Sequence, residues 1–173
     1  MVTVHTARIE TPIGAIRLAS TESGLAYVEL PRAAGCGLAG WLHHQLPSAR
    51  CVKSLERNRA ARDQILEYLE GDRTEFDLEL DLRGTEFQRQ VWKELRKIPF
   101  GDQRSYREIA VAVGRPNAVR AVGSANGSNP VSLVVPCHRV INSDGKLGGY
   151  GGGLELKARL LAMESRAGGD SLL

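Results

Sequence analysis

Ser105-Tyr106-Arg107-Glu108-Ile109-Ala110-Val111-Ala112-Val113-Gly114-Arg115-Pro116-Asn117-Ala118-Val119-Arg120-Ala121-Val122-Gly123-Ser124-Ala125-Asn126-Gly127 is the stretch that decides the fold. Ser105 and Glu108 have the spacing of a capping box, in which the two side chains satisfy each other's backbone N–H groups. Tyr106, Ile109 and Val113 continue a short helix, and Gly114 stops it. Arg115-Pro116-Asn117 reads as a tight connection, with Asn117 or a neighbour capping a second helix from Ala118 to about Asn126. Two short helices joined by a turn containing Gly form a helix-turn-helix. The second helix is nearly free of bulk, with Ala118, Ala121, Gly123, Ser124, Ala125 and Gly127. Propensity alone would not choose glycine there, at about 1 kcal/mol less favourable than alanine. Small residues let a backbone approach another surface closely, in a packed core or on a nucleic acid. Arg120, projecting from this smooth helix, favours the nucleic acid.

The flanks sharpen the pattern. Upstream, Thr85 and Gln88 make another capping box, and Phe87, Val91, Trp92, Leu95 and Ile98 line one helical face before the turn Pro99-Phe100-Gly101-Asp102. Downstream, Pro136-Cys137-His138-Arg139-Val140 follows the apolar run Leu133-Val134-Val135 and sets a thiol beside an imidazole. A cysteine attacks as its thiolate, and a free one titrates near about 8.5. A neighbouring base is one way to raise the thiolate fraction at neutral pH. The competing reading is a small buried hydrophobe ending a Val-rich strand. Adjacent strand residues also point to opposite faces. Contact between Cys137 and His138 therefore needs a bent backbone, which Pro136 could supply, or a bridging water.

The N-terminal half reads as short strands and one helix. Thr11-Pro12-Ile13-Gly14 is a turn, and residues 15–19 and 25–30 form a hairpin around Glu22-Ser23-Gly24. Residues 31–51 show no clear period. A helix is expected from Ser54 to Leu69, with Leu55, Ile65, Leu66 and Leu69 on its apolar face and Gly71 closing it. Phe76 to Leu82 alternates strictly, as a half-buried strand does. Arg83-Gly84 marks a boundary. The expected fold is α/β (α+β): an N-terminal α/β domain over residues 1–82 with antiparallel strands, then a mostly helical, winged-helix-like domain over 83–173 containing the helix-turn-helix.

The net charge of +3 hides an asymmetry. Residues 1–81 carry 9 Lys/Arg against 12 Asp/Glu, and residues 82–173 carry 14 against 8. A basic half suggests a polyanion partner. No apolar run approaches the roughly 18 residues of a membrane span, and the start lacks the pattern of a signal peptide. Three cysteines then argue for a reducing compartment, the cytoplasm. Cys36, His43, His44 and Cys51 match no compact zinc site, which expects closely spaced ligand pairs.

Taken in order, Phe87-Gln88-Arg89-Gln90-Val91-Trp92, Ser105-Tyr106, Ala118-Val119-Arg120-Ala121-Val122-Gly123, Asn129-Pro130, Pro136-Cys137-His138-Arg139-Val140 and Gly148-Gly149-Tyr150 resemble the O6-alkylguanine-DNA alkyltransferase family over about residues 75–165. The resemblance implies direct repair of duplex DNA, with an alkyl group moving once and irreversibly from O6 of an extruded guanine to a protein cysteine. O4-alkylthymine is a second candidate substrate. It implies Cys137 as acceptor, His138 as base through a water, Glu164 as the group orienting His138, and Asn129 as a hinge. Tyr106 would help rotate the nucleotide, and Arg120 would fill its vacated place. Ala118, Ala121, Ser124, Ala125 and Gly127 would face DNA in the minor groove. Val135, Val140, Tyr150, Gly151 and Gly152 would line the alkylguanine pocket. No metal or organic cofactor is implied, and the partner is double-stranded DNA bearing O6-alkylguanine, bound by a monomer that could cluster along DNA. Ser132 stands where some members have a second proline, and Gly151 where some have a serine.

Three rivals make different demands. A non-catalytic lesion binder would lack the nucleophile. A thiol hydrolase would need an oxyanion hole, for which no motif appears. A sequence-specific regulator would usually dimerise, and no dimerisation element is visible.

Overall fold

A computed structural model describes residues 1–33 and 35–165. Strands β1 (Thr3–Thr11), β2 (Gly14–Thr21) and β3 (Gly24–Glu29) form an antiparallel meander, and β4 (Arg50–Lys53) adds to β1 in parallel, giving the order β3-β2-β1-β4. Period-2 alternation in β1 and β2 puts Ile9 opposite Ile16 on the face that meets the main core. The other face receives helix α1 (Gly37–Gln45), whose Leu38 packs on Val4 and Ala19. Gly24 is required where it stands. Its φ is +138°, and a Cβ there would collide with the Glu79 carbonyl.

Helix α2 (Arg59–Leu69) packs Ile65, Tyr68 and Leu69 into the core. The helical half follows: α3 (Glu86–Leu95), α4 (Tyr106–Ala112), α5 (Val119–Gly127) and α6 (Leu154–Ser165), with a short parallel pair β5 (Arg104–Ser105) and β6 (Val140–Ile141). Both expected capping boxes form, Thr85 with Gln88 and Ser105 with Glu108. One apolar core joins Ile16, Leu18 and Val28 of the sheet to Trp92, Val122 and Leu160 of the helices. Backbone bonds reinforce it, with Val28 N donating to the Pro130 carbonyl at 2.8 Å. Among the described residues no helix is long and apolar enough to cross a membrane.

Four expectations change. Residues 31–51, which lacked a period, hold α1 and β4. The helix expected from Ser54 begins at Arg59, after a 3-10 turn over Glu56–Asn58, and Leu55 is exposed. The cause is Asn58: its buried amide donates to the His5 and Ser54 carbonyls and accepts from Ser20 Oγ, which ties the chain to the sheet there. Phe76, Leu78, Leu80 and Leu82 do face the core, but only Leu80 bridges a strand, at Leu25, so this segment is an extended strap. The Val-rich strand before Cys137 is instead a turn, with Leu133 at φ 73° and Val135 N bonded to the Val131 carbonyl.

Candidate active site

The turn that replaces this strand delivers the thiol. Asn129 Nδ2 donates to the Val135 carbonyl at 2.8 Å, and its Oδ1 accepts from Val131 N at 3.0 Å, closing residues 129–135 into a fixed loop. Residues Cys137–Arg139 then form a 3-10 turn. This bend removes the strand geometry that would have split Cys137 and His138 onto opposite faces.

Cys137 is 5% exposed and lies in the wall of an open cavity of about 450 Å³. Tyr106, Asn129, Tyr150 and Gly151 share that wall, as do Val119, Arg120, Gly123 and Gly127 from α5. The smooth helix thus forms one side of the cavity, and the exposed Arg120 stands at its rim. Ala121, Ser124 and Gly127 are exposed, and Ala118 is partly buried just before the helix starts.

Four expected placements do not hold. Ala125 is 2% exposed and faces inward, its carbonyl accepting from Trp92 Nε1 at 2.8 Å. Val135 and Val140 are wholly buried in the apolar core that Cys137 also joins, and neither reaches the cavity wall. Gly152 lies outside the cavity wall, against Leu156, Leu30 and Tyr150.

Behind the thiol, His138 and Glu164 are buried together, with His138 Nε2 2.8 Å from Glu164 Oε2. Arg139 clamps the same carboxylate, Nε to Oε1 at 2.8 Å and Nη2 to Oε2 at 2.9 Å, while its Nη1 donates to the Ile98 carbonyl. Tyr68, from the N-terminal half, donates its hydroxyl to Glu164 Oε2 at 2.5 Å. Burial pushes the Glu164 carboxyl up, but hydrogen bonds from His138 and Arg139 outweigh it and hold it at about 2, against an ordinary 4.5. An ionised carboxylate only accepts, so Nε2 of His138 carries the hydrogen. Burial lowers the His138 pKa, against the pull of Glu164, which keeps the ring neutral at neutral pH. Its Nδ1 has no hydrogen-bond partner and is the free base of the ring.

The Cys137 thiol is pushed up by burial, and a hydrogen bond from Asn129 and the Lys157 ammonium pull it only partly back. The expectation of a raised resting thiolate fraction is therefore corrected: the site holds a thiol and a neutral imidazole.

Arg139, Tyr68, Lys157 and Asn126 were not foreseen. Lys157 is wholly buried on α6, and its Nζ donates to the carbonyls of Val140 at 2.6 Å, Leu147 at 2.5 Å and Gly149 at 3.1 Å. It staples the loop that carries Tyr150 and Gly151 to the helix that carries Glu164. Burial lowers its pKa to about 8. Asn126 did leave a signal, because Val122, Ala125 and Asn126 fall on one helical face. Among the described residues no group of three or more His, Cys, Asp or Glu side chains is placed to hold a metal ion.

Comparison with known proteins accounts for nearly the whole chain. Residues 4–82 match the 6-O-methylguanine DNA methyltransferase ribonuclease-like domain, and residues 86–166 match the DNA binding domain of the same name. A methylated-DNA--protein-cysteine methyltransferase of Mycolicibacterium paratuberculosis is 46% identical over 165 residues, covering 95% of this chain and 94% of its own. One from Methanosarcina barkeri is 46% identical over 156 residues, covering 90% and 94%. The crystal structure of Mycobacterium tuberculosis OGT in complex with DNA superposes with a TM-score of 0.83 at 42% identity, covering 97% of this chain and 96% of that one. With matched domains spanning both halves and relatives this similar over nearly their full length, the chain belongs to the 6-O-methylguanine DNA methyltransferase family.

Proposed function

We propose that this chain repairs O6-alkylguanine in duplex DNA by moving the alkyl group to Cys137, once per molecule. The observation that carries the reading is a buried thiol in the wall of an open cavity whose other side is the smooth helix α5. O6 of a paired guanine lies inside the base stack, so chemistry on it requires extrusion of the nucleotide. Unstacking costs a few kcal/mol, least for a damaged base, which gives lesion preference without a sequence code. Ala121, Ser124 and Gly127 offer a surface slim enough for a minor groove about 6 Å wide. Arg120, at the rim, takes the place the nucleotide leaves.

In the chemical step His138 Nδ1 takes the thiol proton through a water, while Nε2 stays bonded to Glu164 and the clamped carboxylate stabilises the imidazolium. Sulfur forms a bond to the alkyl carbon as the C–O6 bond breaks, and the electron pair leaves with guanine, which takes up a proton. The product is a thioether with no carbonyl for water to attack, so the protein is consumed. In this reading residues 1–82 support residues 83–173, of which 166–173 lie outside the described residues, and Tyr68 is the support's contact with the site. The protein acts as a monomer, one copy per lesion, in the cytoplasm, where DNA meets reduced thiols.

The test is incubation with a duplex containing O6-methylguanine, followed by peptide mass analysis. One methyl group per protein on the Cys137 peptide, absent in Cys137→Ala, is expected. Methylation of Cys36 or Cys51 instead would refute the assignment.

A further inference from the structure

We infer that Tyr68 is a positioning residue for the methyl transfer: its hydroxyl, reaching in from the N-terminal half, occupies Glu164 Oε2 and so leaves His138 Nδ1 without a proton until the thiol gives one up. The inference rests on the function proposed above and goes beyond it, because it gives residues 1–82 a share in the proton transfer. Glu164 Oε2 receives three donors: Tyr68 Oη at 2.5 Å, His138 Nε2 at 2.8 Å and Arg139 Nη2 at 2.9 Å. Glu164 Oε1 receives Arg139 Nε at 2.8 Å. The Tyr68 bond is the shortest of the four and lies in the range of charge-assisted O–H···O⁻ bonds, about 2.5–2.7 Å. Donors that share one oxygen share its charge, so what Tyr68 takes up is withheld from His138.

The hydroxyl is firmly held. Tyr68 is wholly buried on α2, and its ring packs on Phe76 of the strap at 5.3 Å and edge-on to Phe100 at 6.2 Å between centroids. Burial and the Glu164 charge push its hydroxyl well above the ordinary 10.0, so it keeps its hydrogen throughout the acid and neutral range. His138 Nε2 lies 3.2 Å from the hydroxyl oxygen, to one side of the bond that joins this oxygen to Glu164. The hydroxyl therefore acts on the ring chiefly through the carboxylate. The other groups around the ring are Glu164 and Lys157 of α6, Arg139 of its own turn, Cys137 before it, and Tyr150 of the loop that Lys157 staples, at 6.4 Å between centroids. Arg139 and Lys157 oppose a second proton on the ring as like charges, and Glu164 favours it. Removing the Tyr68 hydroxyl leaves all of these in place and strengthens the pull of Glu164 alone. Nδ1 then takes a proton at higher pH, and a ring already protonated cannot accept one from Cys137.

The test follows the pH dependence of single-turnover methyl transfer from the O6-methylguanine duplex, and the titration of the His138 ring by NMR in histidine-labelled protein without DNA. Tyr68→Phe keeps the aromatic ring and its packing and removes the hydroxyl. The midpoint should rise by about one pH unit in both measurements. The loss of rate should be greatest near about pH 6 and gone by about pH 8. A residue that only props the fold would slow transfer by one factor at every pH, so a uniform loss with an unmoved midpoint would overturn the inference. Replacing Tyr68 with 3-fluorotyrosine, a stronger donor of nearly the same size, should lower the midpoint, and it decides the matter if Tyr68→Phe does not fold. A midpoint equal to or above that of the unmodified protein would then overturn the inference. No transfer by the unmodified protein at any pH would overturn the proposed function, while the ring titration would still decide whether Tyr68 governs His138.

Discussion

At the scale of single residues, burial holds the proposed nucleophile in its protonated form. Cys137 is raised above an ordinary 9.0 chiefly by burial, and His138 is lowered below 6.5 by the same cause. Neither group carries charge at neutral pH, so in the proposed mechanism the thiolate forms only as His138 Nδ1 takes the proton. In a Cys36→Ser, Cys51→Ser background, thiolate absorbance from Cys137 should titrate with its midpoint above 9.0. Thiolate at neutral pH would contradict this resting state. The rate of methyl transfer should fall on the acid side with a midpoint below 6.5, where His138 gains its proton and ceases to be a base. A midpoint above 6.5 would mean that the ring is charged in the resting site and that Glu164 outweighs burial.

At the scale of elements, Lys157 explains how a glycine-rich loop becomes a cavity wall. Residues 148–153 include five glycines around Tyr150, and such a run has no intrinsic order. Three carbonyls on one ammonium supply it. Lys157→Met keeps the chain length and removes the donors, leaving carbonyls unsatisfied at about 1–3 kcal/mol each where buried. The variant should lose about 3 kcal/mol of stability, show faster amide exchange around Gly149–Gly151, and transfer methyl groups more slowly. Unchanged exchange in that loop would show that the staple is dispensable. Lys157 was invisible in the sequence because a lysine on an amphipathic helix ordinarily faces water. The capping boxes at Thr85 and Ser105 were legible because they are local, satisfied within one turn. The burial of Phe76, Leu78, Leu80 and Leu82 was legible as alternation, but whether another strand lies beside them depends on distant residues. Cys137 and His138 stood out by chemistry. The inward placement of Val135, Val140 and Ala125 depended on the path of the backbone through Leu133 and on Trp92, which no local pattern encodes.

At the scale of the whole molecule, one carboxylate ties four segments together. Glu164 on α6 receives Tyr68 from α2 and both His138 and Arg139 from the active-site turn, and Arg139 in turn holds the Ile98 carbonyl after α3. Because Tyr68 belongs to the N-terminal half, protonating Glu164 weakens the joint between halves as well as the site. Glu164 sits at about 2 when folded against an ordinary 4.5. A depressed carboxylate contributes stability that is fully present above its unfolded value and is lost as pH falls through the folded one. The contribution is about 3 kcal/mol at neutral pH and should disappear between about 4.5 and 2. His138, neutral when buried, acts with the same sign, since the unfolded ring binds a proton near 6.5 that the folded ring refuses. Acid should therefore weaken the fold in two stages, first His138 and then Glu164. Glu164→Gln also strands the Arg139 charge, at a cost of about 3–5 kcal/mol, so the variant should be much less stable than the parent at pH 7. Urea unfolding from pH 7 down to the lowest pH at which both proteins fold should show that gap narrowing once the parent's carboxylate begins to protonate. A gap of constant size would mean that Glu164 is not charged in the folded protein, and the ion cluster would then not be what joins the halves.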